Sequence, residues 1–175
     1  MLTDSGLLYV LSGLTGRNLS LCVFLIIGVT VPLVRKVAKE YYERLSPENI
    51  VALISSPVHE HRLAGLLMSV CLFQKGGLHE ERAVDIYLAS IERINNWDLV
   101  DLTAPKILGP WLETRDRGLL YELSESGSLW RERIAIVTCL AFIRKGDFDD
   151  ILRIAERHLG HSHDLFHKAI GWMLR

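Results

Sequence analysis

The chain has 175 residues, enough for one domain with a sizeable core, and its 49% hydrophobic content excludes an overall disordered chain. Lys and Arg number 20 against 21 Asp and Glu, a formal net charge of -1, so bulk charge does not mark a nucleic-acid binder and any such surface must come from local clustering. Cys22, Cys71 and Cys139 lie in apolar, helix-like runs without CxxC or Cys/His spacing, which excludes a disulfide frame or zinc site and fits small buried hydrophobes in a reducing compartment.

Leu19 to Val34 is an almost uncharged run of 16 residues, interrupted by Gly28 and Pro32. A spanning helix needs about 20 apolar residues. Asp4 and Arg17 before the run and Arg35-Lys36 directly after it do not make a signal peptide. A buried helical or strand-like segment is expected, with a membrane anchor as the alternative.

Beyond residue 30 the periodicity is helical, with no alternating strand pattern of useful length. Pro32 opens a helix through Val37 and Tyr41 to about Arg44. Ser46-Pro47 starts a second, and Ser56-Pro57 a third that ends at Gly76-Gly77. A helix from about His79 to Ile94 is followed by one carrying Trp97 and Asp101, and Pro105 opens another that ends near Leu112. Further helices are expected at about 117–124, 128–145, 147–159 and 163–175, broken at Gly127, Gly146 and Gly160.

Short breaks between helices of this length predict stacked antiparallel pairs. Arg62-Leu63-Ala64 ending in Lys75-Gly76 echoes Arg133-Ile134-Ala135 ending in Lys145-Gly146. That spacing of roughly 70 residues amounts to two helical pairs per period, the arithmetic of HEAT-like repeats. The expected fold is an all-α solenoid.

Within it, Trp97 and Asp101 stand one turn apart on one helix face. A core wants the indole without the acid, and a solvated face wants the acid without the indole. The pair points to a site for something both flat and positively charged. Read without further context, Trp97 is a packing residue, Asp101 a solvated or capping acid, and Asp98 the N-cap of its helix. Trp172 closes the last helix on its neighbour, and Arg133 is a surface ion-pair partner of Glu132 or Asp147. The pairs His59/His61 and His161/His163 have i, i+2 spacing, which does not put two ligands on one helix face, so solvated loop histidines are expected there. Trp111 and Trp130 read as packing residues. Arg131, Arg144, Lys145, Lys168 and Arg175 are candidates for a locally basic face.

Asn95-Asn96-Trp97-Asp98-Leu99-Val100-Asp101-Leu102 followed by Ala104-Pro105-Lys106-Ile107 resembles the DNA alkylation repair family of AlkD-like DNA glycosylases. So do Leu129-Trp130-Arg131-Glu132-Arg133-Ile134-Ala135-Ile136, Phe142-Ile143-Arg144-Lys145-Gly146-Asp147-Phe148 and His167-Lys168-Ala169-Ile170-Gly171-Trp172-Met173-Leu174-Arg175. Gly28-Val29-Thr30-Val31-Pro32 with Arg35-Lys36 is similar to the family's early motif. The resemblance spans residues 28–175. Residues 1–27 form a divergent hydrophobic segment unlike the family's N-terminal helices, and the chain stops at Arg175, where family members continue for further helices.

The resemblance implies a right-handed superhelix of HEAT-like helix pairs with a concave face for duplex DNA. It implies hydrolytic release of cationic alkylated purines, 3-methyladenine and 7-methylguanine, without base flipping, in base excision repair. By position it assigns Asp101, Trp97 and Trp172 to the lesion deoxyribose as the catalytic set, and Arg133 to the phosphate. Lys168, Arg144 and Lys145 join Arg133 as DNA-binding candidates. No metal or cofactor is implied, and the expected protein is a cytoplasmic, nucleoid-associated monomer whose partner is alkylated double-stranded DNA. A catalytically inactive HEAT-like DNA-binding or scaffold protein is the alternative.

Overall fold

The computed structural model describes residues 27–175, and every regular element among them is a helix. In chain order these are α1 (Val31–Tyr41), α2 (Pro47–Ile54), α3 (His59–Lys75) and α4 (Leu78–Ala89), a 3-10 turn at Ile91–Arg93, then α5 (Trp97–Leu112) and α6 (Gly118–Ser124). The chain continues with α7 (Leu129–Thr138), α8 (Leu140–Ile143), α9 (Asp149–Arg157) and α10 (Asp164–Met173).

Local chemistry sets several of these limits. Pro47 occupies the first turn of α2, where a missing N–H costs nothing, and the Ser46 hydroxyl accepts the Asn49 N–H. Helix α3 stops where Gly76 and Gly77 both take positive φ, a conformation that Cβ-bearing residues avoid.

Helices α1, α3, α5, α7 and α10 form one row, each packed on the next. A second layer lies on that row: α2 and α4 on α3, α6 on α7, and α9 on α10, with α4 also touching α5. The core fills the space between them with fully buried Leu66, Tyr87, Leu99, Ile107, Phe142 and Phe166. Two glycines let helices approach closely. A Cβ at Gly65 would meet Ile54 Cγ1 at 2.7 Å, and one at Gly109 would meet Ala141 Cβ at 2.5 Å.

Polar contacts repeat with a fixed register. Lys75–Glu43, Arg133–Asp101, Arg133–Leu165, Lys145–Glu113 and Arg157–Glu125 each join positions 32 apart. One helical pair separates the partners each time.

The structure corrects several local expectations. Pro105 does not open a helix: α5 runs unbroken from Trp97 to Leu112 with Pro105 and Pro110 inside it. Interior prolines cost about 3 kcal/mol in an isolated helix, but α5 is held by α3, α4, α7 and α8, and Pro105 itself is buried. The expected 128–145 helix is two elements, because the Cys139 amide bonds Ile136 O three residues back and tightens the turn between α7 and α8. Asp98 is not the N-cap of α5. Asn96 is, its side chain accepting the Trp97 N–H at 2.7 Å, and Asp98 sits in the first turn.

His59 and His61 are not loop residues; both are buried in the first turn of α3. His161 is partly buried between α9 and α10, whereas His163 is exposed as the N-cap of α10. Cys139 is buried, its thiol pushed up to about 12 by desolvation, and Cys71 is half-buried. Cys22 and residues 19–26, half of the 19–34 run, lie outside the described residues. No helix among the described residues is long and apolar enough to cross a membrane.

Candidate functional site

Helix α5 begins at Trp97, and with Asn96 as its cap the indole is left at the mouth of the helix, 56% exposed. Large aromatic side chains usually bury themselves, so an indole kept in solvent invites a ligand. One turn on, Asp101 faces the neighbouring helix α7. Arg133 Nε–H donates to Asp101 Oδ1 at 3.0 Å and Nη2–H donates to Oδ2 at 2.8 Å. This fork fixes both carboxylate oxygens in one plane. The side chains are 15% and 7% exposed, so the pair is largely removed from water without being sealed from it.

The third corner of the guanidinium reaches onward. Arg133 Nη1–H donates to Leu165 O at 2.9 Å, in the first turn of α10. Three successive helices of the row are therefore tied through one arginine. Trp172, 42% exposed, lies on the same helix as Leu165, two turns further along and on the same face. Sequence motifs at these positions and the match to a family model agree: the model for the DNA alkylation repair enzyme covers residues 22–175. The chain belongs to the DNA alkylation repair enzyme family. No curated protein and no solved structure gives a significant match.

For an enzyme of DNA repair the substrate is a polyanion, so the disposition of cations matters. Arg133 is buried against Asp101, not against Glu132 or Asp147, and three of its five N–H groups are already engaged. Lys168 pairs with Asp164 one turn away at 2.6 Å and Lys145 with Glu113 at 2.6 Å, both lysines exposed and exchangeable with solvent ions. Arg144 is exposed and makes no ion pair among the described residues. It lies near Lys106, whose ammonium is held below its ordinary value by burial and then by the like charges of Arg35 and Arg144. Arg35, Lys106 and Arg144 thus form a basic group across α1, α5 and the end of α8. Of these, sequence reasoning had picked only Arg144.

Other residues missed from the sequence line the same row. Glu60 accepts the N–H groups of Ile27 at 3.0 Å and Gly28 at 2.7 Å. His59 Nε2 meets Asp98 Oδ2 at 2.7 Å across the α3–α5 seam, and His161 Nε2 meets Glu132 Oε2 at 3.0 Å beside the α7–α10 seam. A band of partly buried polar bonds therefore runs along the first turns of α3, α5, α7 and α10. Trp111 and Trp130 pack against the core, Trp111 also receiving the Arg115 guanidinium at 3.5 Å. Among the described residues there is no group of His, Cys, Asp and Glu able to hold a metal ion.

Proposed function

We propose that this protein is a DNA glycosylase that hydrolyses the N-glycosidic bond of cationic alkylated purines in duplex DNA. The observation that carries the reading is the Asp101 carboxylate, fixed by the Arg133 fork and one turn from an exposed indole. The two rows of helices form a HEAT-like solenoid, and DNA lies along a concave face made by the α1–α3–α5–α7–α10 row.

A purine alkylated at N3 or N7 already carries positive charge. As the C1′–N9 bond breaks, its electron pair moves into the ring and the base leaves neutral, so no strong acid is required. Positive charge then builds on the deoxyribose. Asp101, unable to reorient because both oxygens are held, stabilises that charge and orients the water that adds to C1′, the water's proton passing to solvent. Trp97 and Trp172 offer π faces to the electron-poor sugar, an attraction worth about 0.5–2 kcal/mol each. The two N–H groups of Arg133 not engaged with protein remain for a backbone phosphate, with Arg144, Lys145 and Lys168 adding non-specific attraction. The groups that the protein supplies act on the sugar and not on the base, so the reaction does not call for the base to leave the helix. The chemistry calls for no metal or cofactor, and a monomer acting on cytoplasmic, nucleoid DNA is sufficient for it.

Release of 7-methylguanine from methylated duplex DNA tests this. Wild type is expected to release it and Asp101→Asn to release it far more slowly. Equal release by wild type, Asp101→Asn and buffer would overturn the enzymatic reading. Salt-dependent duplex binding that survives such a result would leave a non-catalytic DNA-binding protein.

A further inference from the structure

The Asp101–Arg133 pair is flanked on each side by a histidine–carboxylate pair, and each of these is tied to a helix that carries one of the exposed indoles. On the α3–α5 side, His59 meets Asp98 at 2.7 Å, and Asp98 is the residue next to Trp97. The other oxygen of Asp98 accepts the Leu99 N–H at 2.9 Å, so both oxygens of this acid are used. His59 Nδ1 is buried with no hydrogen bond among the described residues, which leaves Asp98 as the one group its ring holds there.

On the α7–α10 side, Glu132 and Arg133 are neighbours in sequence and both reach toward α10, Arg133 to Leu165 O and Glu132 to His161. The His161 ring does more than bond. It stacks on Phe166 at 4.0 Å between centroids with planes 16° apart, and its Nδ1 accepts the His163 N–H at 3.1 Å. With Nδ1 accepting, the proton sits on Nε2 and points to Glu132. Phe166 is fully buried, belongs to α10 and also meets the His158 ring at 5.3 Å, so the His161 stack is one of the contacts that hold that helix against rotation about its axis. Trp172, on the Leu165 face two turns on, turns with it.

We propose that His59 and His161 are positioning residues, each setting the orientation of one indole, Trp97 through Asp98 and Trp172 through Glu132 and Phe166. Neither histidine is assigned contact with DNA. The catalytic consequence rests on the glycosylase reading, but the positioning itself does not.

Fluorine NMR of the full chain labelled with 5-fluorotryptophan tests it, with Trp97→Phe and Trp172→Phe assigning the signals. His161→Ala is expected to shift or broaden the Trp172 signal and leave Trp97 in place, and His59→Ala to do the reverse. Both substitutions disturbing both signals, or neither disturbing its own, would overturn the proposal. Glutamine places its amide nitrogen near the position of Nε2, whereas asparagine mimics Nδ1. His59→Gln should therefore keep the wild-type signals while His59→Asn does not, and His161→Gln, which retains the Glu132 bond but not the ring on Phe166, should disturb the Trp172 signal less than His161→Asn does; the opposite order in either pair would also overturn it. This second comparison decides the matter should the alanine variants not fold.

Single-turnover purine release adds the catalytic readout. His161→Ala is expected to slow release about tenfold at saturating protein, and to have no further effect when Trp172 is already alanine. An equal loss in both backgrounds would contradict positioning through Trp172. If wild type itself releases no purine, the glycosylase reading falls, and the fluorine signals alone decide the role of the two histidines.

Discussion

Two arginine–carboxylate clusters tie helices of this molecule together, and they differ in what surrounds them. In the first, Arg133 grips Asp101 with two bonds and Leu165 O with a third, linking α5, α7 and α10. In the second, Arg117 Nη1 donates to Asp147 at 2.7 Å and Asp150 at 2.6 Å, Tyr121 OH donates to Asp150 at 2.6 Å, and the guanidinium lies 3.9 Å over the Phe142 ring. That cluster joins α6, α8 and α9. Both of its acids are held by Arg117, Asp150 by a phenol as well and Asp147 by the Asp149 N–H, and no solvent-facing indole adjoins it in sequence. The Asp101 carboxylate has one partner side chain and an exposed Trp97 one turn away. A buried ion pair is therefore poor evidence of function by itself. What separates the two is an apolar, electron-rich surface kept wet at a cost, beside an acid held in a fixed orientation.

The widest contrast should come from removing each arginine. Arg133→Ala leaves Asp101 buried and unpaired, and a loss of about 3–5 kcal/mol is expected in denaturant unfolding, together with loss of purine release. Arg117→Ala should also destabilise, yet leave release per folded molecule unchanged. Parallel losses of release in the two would erase the distinction. Next in size is Gly109→Ala, where the new methyl overlaps Ala141 Cβ at 2.5 Å. Overpacking of this kind costs about 1–3 kcal/mol, so a lower Tm is expected, and an unchanged Tm would mean that α5 and α8 sit further apart than described.

Trp97→Ala tests the exposed side of the comparison. Surface substitutions usually alter stability by no more than about 0.5 kcal/mol, so Tm should hold while release falls about tenfold, the size expected if one cation–π contact is lost. A large fall in Tm would make Trp97 a packing residue. The smallest effect concerns acid stability. The Arg117 hydrogen bond holds Asp147 below its ordinary carboxylate value. A depressed folded-state value contributes stability above the unfolded value and loses it as pH falls through the folded one. Between about pH 5 and pH 2 the wild-type Tm should therefore drop more steeply than that of Asp147→Asn. Equal slopes would show Asp147 to be free in solution.

The limits of what the chain discloses follow the range of the interactions. Ser46-Pro47 and Gly76-Gly77 end and start helices through bonds made within a few residues, and both were legible. Pro105 misled because its local penalty is outweighed by packing with helices far away in sequence. Trp97 and Asp101 could be found as a pair because helical spacing alone brings them together. Arg133 could be placed in a motif, but its partner could not, since Asp101 is 32 positions away and Glu132 and Asp147 were nearer choices. His59 and His161 were read as solvated for the same reason: their carboxylates lie 39 and 29 positions off. The recurring offset of 32, visible once the contacts are known, is the signal that would have paired Arg133 with Asp101.

The most direct measurement is single-turnover release of 7-methylguanine by Asp101→Asn and Asp150→Asn, each compared with wild type at equal concentrations of folded protein. Both replace one carboxylate in an arginine cluster with an isosteric amide. Asp101→Asn is expected to slow release by about 10²-fold or more, and Asp150→Asn to remain within about threefold of wild type while losing stability. Release slowed alike in both, or in neither, would contradict the assignment of catalysis to Asp101.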